Sequence, residues 1–99
     1  MNMQQMMVQA QKMQRELQKA QAELAKKEFV VTKAGLVKVT VLGSKEIKAI
    51  EIDEDGFDKD NKEMVEDLIK SSLNEIFEQI DKENDELTDK ITGRTGLGF

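Results

Sequence analysis

From Met3 to Leu24 apolar or small side chains return at intervals of 3-4-3-4-3-4: Met3, Met6, Ala10, Met13, Leu17, Ala20 and Leu24. A seven-residue period held over three repeats marks a helix that buries one narrow seam against another helix. Gly and Pro are absent from the run, and Gln, Lys, Glu and Ala fill its other positions as good helix formers. The spacing predicts a helix over Met3 to Lys27. A helix with one apolar stripe needs a partner, within the chain or in another copy.

At Phe29 the period changes. The β-branched run FVVT opens a strand over 29–33, Ala34-Gly35 makes a turn, and Leu36 to Leu42 forms a second strand. Val37, Val39 and Val41 alternate with Lys38 and Thr40, as expected of a strand with one buried face. Gly43-Ser44-Lys45 fits a three-residue hairpin loop leading into a third strand, Glu46 to Ile52. There Ile47 is out of phase with Ile50 and Ile52. One extra residue near Lys48-Ala49, a β-bulge, brings Val41 opposite Ile47, Val39 opposite Ile50 and Val37 opposite Ile52, all on one side.

The acidic segment DEDGFDKD, Asp53 to Asp60, precedes a second helix. Asp60 and Glu63 have the spacing of a capping box. Met64, Val65, Leu68, Ile69, Leu73, Ile76, Phe77, Ile80 and Leu87 form an apolar stripe running to Thr88 or Lys90, with a weak point at 81–85. The expected fold is α+β: a long N-terminal helix, a three-stranded antiparallel meander and a long C-terminal helix. Residues 1–90 are expected to form one domain and 91–99, with Gly93, Gly96 and Gly98, a flexible tail.

Ninety-nine residues with 38% apolar side chains, four Phe and no Trp or Tyr are thin material for a compact globule, so an oligomer is expected. The chain has no Cys and no His, which removes disulfides, thiolate metal sites, the commonest metal ligand and the usual general base near neutral pH. The remaining Ser, Thr, Lys and carboxylates form no cluster organised for catalysis, so neither an enzyme nor a cofactor site is expected. The opening residues carry no basic stretch of a secretory signal, and no apolar run has the length of a membrane span. A cytoplasmic protein without membrane or small-molecule partners is expected.

Glu51 to Lys62 has acids at positions 1, 3 and 5 of a calcium loop and Gly56 at position 6, but Lys62 stands where the bidentate carboxylate belongs. A solvated turn is the expected reading, and no metal site is assigned. GRTGLGF lacks the Lys-Ser/Thr pair of a phosphate loop.

Charge is segregated along the chain. The net charge is −5, yet residues 1–28 hold five basic against three acidic side chains, whereas 61–99 hold five against ten. Lys12, Arg15, Lys19 and Lys26 fall within an arc of about 60° at 100° per residue, nearly opposite Ala10, Leu17 and Leu24. Such a stripe can lie against phosphates without disturbing the seam. Pattern alone favours a solvated face laced by Glu16–Lys19, Glu23–Lys26 and Glu23–Lys27 pairs, as charge stripes usually are. The Met-rich seam, in turn, is either core packing or a soft surface for apolar clients.

Three pieces in order resemble the YbaB/EbfC family of bacterial nucleoid-associated proteins: MVQAQKMQRELQKAQAEL at Met7 to Leu24, GLVKVTVLGSKEIKAIEID at Gly35 to Asp53, and EMVEDLIKSSLNEI at Glu63 to Ile76. The resemblance implies a tweezer-like homodimer that binds double-stranded DNA with little sequence preference. It also implies location in the nucleoid and a link to replication, recombination or nucleoid organisation. On that reading Lys12, Arg15, Lys19 and Lys26 are the expected DNA-binding residues, with Lys27 and Arg94 as weaker candidates. Glu54 stands where family members commonly have Pro, and Ala34-Gly35 replaces a Gly pair. The other expectation is a protein-interaction or chaperone-like adaptor, with a helix–hairpin–helix plan similar to prefoldin subunits and little DNA affinity.

Overall fold

The computed structural model describes residues 2–93. Helix α1 spans Met3–Lys26, strands β1, β2 and β3 span Glu28–Lys33, Val37–Leu42 and Ile47–Ile52, and helix α2 spans Lys62–Thr88. Two short 3-10 turns, Glu54–Phe57 and Lys59–Asn61, lead into α2, and a π-helical turn, Asp89–Gly93, follows it. The three strands form one antiparallel sheet in the order β1-β2-β3.

The expected bulge is present. Val37 pairs with Ile52, Val39 with Ile50 and Val41 with Ile47, and the register shifts between Thr40 and Val41. Thr40 pairs with Ala49, leaving Lys48 as the extra residue. Directly paired residues share a face, so the three valines and three isoleucines stand together. Lys48 reaches Glu28 of β1, with Nζ 2.8 Å from its carboxylate. Thr40 departs from expectation: it belongs to the face read as wet but is buried, between Val30 of β1 and Ala49 of β3.

Both turns have positive φ where their geometry demands it. Ala34 (φ 56°) and Gly35 (φ 66°) are both left-handed, and the Leu36 amide donates to the Lys33 carbonyl at 3.0 Å. That is a type I′ hairpin turn. An alanine in this region costs about 1 kcal/mol relative to glycine. Ala34→Gly is therefore expected to raise stability by up to about 1 kcal/mol, measurable by urea denaturation. In the second turn the Leu42 amide donates to the Glu46 carbonyl at 2.9 Å and Lys45 has φ 74°. This is a three-residue loop closing in the left-handed region.

Helix α2 lies across β1 and β2. The core comprises Phe29, Val37, Val39, Val41, Val65, Ile76 and Ile80, with Leu24, Leu68, Leu73 and Phe77 packed around it. Ser72, fully buried in the α2 stripe, donates its hydroxyl to the Leu68 carbonyl at 2.6 Å and so carries no unmet polar group into the core.

One expectation for α2 is corrected. Asp60 does not cap it: the N-cap is Asn61, which makes no side-chain capping bond. Asp53 and Asp58 instead cap the two 3-10 turns, accepting from the Asp55 and Asp60 amides at 3.1 and 3.0 Å. The chain thus enters α2 through pre-formed helical turns. Helix α2 runs unbroken through 81–85, where apolar side chains lapse. Asp81 pairs with Lys45 at 2.7 Å and Glu83 with Lys27 at 2.6 Å, so acids that interrupt the apolar stripe tie α2 to the rest of the molecule.

Gly56 is buried, and a Cβ there would stand 2.6 Å from Ile52 Cγ2 and 3.2 Å from Val65 Cγ2. Close packing between strand and helix explains this glycine. Among the described residues no group of three or more His, Cys, Asp or Glu is arranged to hold a metal ion, and no helix is long and apolar enough to cross a membrane.

Candidate nucleic-acid interface

Helix α1 begins with a capping box absent from the sequence reading: Asn2 Oδ1 accepts from the Gln5 amide at 2.8 Å while the Asn2 amide donates to Gln5 Oε1 at 3.4 Å. Its far end is stopped by the β2–β3 turn. The Gly43 amide donates to the Lys27 carbonyl at 2.8 Å and the Ser44 amide to the Ala25 carbonyl at 3.2 Å. Carbonyls at a helix C-terminus lack intrahelical partners, and here the hairpin supplies them. With Lys27–Glu83 and Lys45–Asp81, these bonds set the direction in which α1 leaves the sheet.

No residue of α1 is fully buried. Met13, Leu17, Ala20 and Leu24 are half-buried, on the side where α1 meets α2 and the π-helical turn. The expected seam is therefore real over its C-terminal part. Lys12, Arg15, Lys19 and Lys26 are all exposed. They make no ion pair within 4.0 Å among the described residues; the five pairs present involve other lysines. The expected intrahelical pairs of Lys19, Lys26 and Lys27 with Glu16 and Glu23 are not formed.

From Lys12 to Lys26 the stripe runs about 21 Å, roughly six base-pair steps of duplex. It lies on an arm of a molecule whose longest dimension is 69 Å. Lys27 is placed differently. Its ammonium sits on Glu83 and 5.1 Å from the centroid of the Phe29 ring, a position that clamps α1 to α2. Arg94 lies outside the described residues.

A cationic helix face alone is compatible with many partners; comparison with known proteins narrows them. The profile of the YbaB/EbfC DNA-binding family matches residues 1–95. The chain belongs to the YbaB/EbfC family. Curated relatives include a nucleoid-associated protein of Metamycoplasma arthritidis, 44% identical over 93% of this chain and 96% of its own length. Another, from Agathobacter rectalis, is 46% identical over 99% of this chain and 88% of its own length, and one from Clostridium botulinum is 45% identical over 93% and 82%. YbaB/EbfC is a DNA-binding, non-enzymatic family, so the stripe on α1 stands in a protein of the matching class.

Proposed function

We propose that this chain is a nucleoid-associated protein that binds duplex DNA as a homodimer, chiefly through phosphates. The observation that carries the reading is the exposed stripe Lys12, Arg15, Lys19 and Lys26, without ion pairs among the described residues, on a projecting helix of a DNA-binding family. No aromatic side chain interleaves the stripe, so stacking on unpaired bases is not its mode of contact. Phosphate contact without base readout makes affinity indifferent to sequence and steeply dependent on salt.

The test is fluorescence anisotropy on two duplexes of unrelated sequence across a salt series. Equal affinities that fall linearly in log-log form are expected. Affinity that is flat in salt, or confined to one sequence, contradicts the phosphate mechanism.

The dimer is supported by apolar surface left uncovered. Ile50 is 42% and Phe57 74% exposed. Ile47 and Ile50 run along edge strand β3 toward Ile52, which lines a groove of about 330 Å³ with Phe57, Val65 and Ile69. Phe57 beside its own groove is a knob next to a hole, the self-complementary pattern of a two-fold interface. The acidic bodies raise the stakes: two copies together carry −10, twice the −5 of one chain. Ile50→Lys combined with Phe57→Ala is expected to halve the mass in sedimentation equilibrium with helical circular dichroism retained. A wild-type protein that sediments as a monomer contradicts the dimer.

A further inference from the structure

The heptad seam of α1 outlasts its cover. Met13, Leu17, Ala20 and Leu24 are half-buried, but Met3, Met6, Met7 and Ala10 are exposed, Met3 to 77%. These four residues lie within an arc of about 100° that continues the covered seam. The chain is 35% charged, yet no side chain from Met1 to Gln11 carries a charge. A bare apolar seam flanked by Gln4, Gln9 and Gln11 therefore forms the outer end of the arm.

We propose that this tip is a self-association surface whose occupant is the same tip of a second copy, so that copies bound to DNA hold one another and bridge duplexes. Two uncharged tips meet without the like-charge repulsion that two acidic bodies feel. Their methionines pack adaptably, and their glutamines pair with each other. The tip continues the α1–α2 helix packing, so a helix of the same pattern meets the heptad it is built to receive. The seam also lies on the face opposite Lys12, Arg15 and Lys19, so tip contacts leave the cationic stripe open.

Other occupants fit less well. Phosphates find no cationic side chain in residues 1–11. An interfacial membrane helix needs bulky Trp, Phe or Leu on its apolar face, which methionine and alanine do not supply. About three turns bury far less than the roughly 1,200 Å² of a stable interface, so the contact is weak in free solution and becomes effective at the local concentration reached along a duplex.

The bridging role rests on the DNA reading; the tip contact does not, and the experiment separates them. The full chain and a Met3→Gln, Met6→Gln, Met7→Gln variant are compared by sedimentation equilibrium from micromolar to near-millimolar concentration. Capture of a fluorescent duplex by a bead-bound duplex is measured in parallel. The average mass of the wild type is expected to climb above its basal assembly, and that of the variant to stay level at unchanged helical content. Duplex capture is expected to fall about tenfold in the variant while affinity for a single duplex changes less than about twofold. A level wild-type mass, or a variant that climbs like the wild type, overturns the tip contact whether or not DNA binds. Climbing mass without duplex capture overturns the bridging role, and level mass with tip-dependent binding to phosphatidylglycerol vesicles assigns the tip to a membrane surface instead.

Discussion

Replacing Lys12, Arg15 and Lys19 together by Ala is expected to lower affinity for duplex DNA about 100-fold at moderate salt, equally on unrelated sequences. The slope of log affinity against log salt should shallow by roughly 2.7 per chain, the counterion release of three phosphate contacts. The physical ground is that these side chains are exposed and none is engaged by a carboxylate of the described structure. Alanine is the strongest helix former, so α1 persists and the loss is one of charge. Unchanged affinity, or a loss confined to one DNA sequence, removes the stripe as the site. Lys27→Ala provides the contrast. Its ammonium is paired with Glu83, so its loss should loosen the joint between α1 and α2 and shift the salt slope less than any member of the stripe.

The second large effect belongs to Gly43→Ala. A Cβ at this position would stand 1.8 Å from the Leu24 carbonyl oxygen and 3.3 Å from the Ala25 Cα, both backbone atoms that no rotamer change can move aside. Either the turn withdraws from α1 or the last helical turn unwinds, and both outcomes break the bonds from Gly43 and Ser44 to the helix carbonyls. The expected cost is about 3 kcal/mol, a melting-temperature fall of roughly 10–20 °C for a domain of this size. Ser44→Ala, one residue on, should stay within about 0.5 kcal/mol because its exposed side chain makes only a long local hydrogen bond. Equal melting temperatures for the two variants contradict the close approach. Because this turn aims the α1 arm, Gly43→Ala should also weaken DNA binding at temperatures where the protein is still folded.

Much of this architecture was legible in one dimension. The heptad in α1 and the β-branched run at Phe29 carry their own periods. The broken phase of Ile47 against Ile50 and Ile52 was enough to anticipate the bulge and its register. Less legible were the helix starts. Asp60 and Glu63 look like a cap, yet Asp58 takes the local amide and leaves Asn61 at the boundary. Asn2 and Gln5 form a capping box made of two uncharged amide side chains. Short polar side chains bond whichever amide the backbone brings within reach, and spacing alone does not say which.

The sequence by itself determined which segments become helix and strand, which faces are apolar, and that positive charge gathers on α1, because each depends on periodicity within one segment. Only the tertiary structure decided how much of each apolar face is covered. It buries Met13 to Leu24 partially while leaving Met3 to Ala10 bare. It also leaves Ile50 and Phe57 at the surface. The fold made Lys27 a clamp and left Lys26 beside it without an ion pair among the described residues, since Glu83 lies far away in sequence and meets Lys27 only when α2 returns past the end of α1. Coverage and pairing are properties of distance in space, and a side chain's own position in the chain carries no record of what folds back against it.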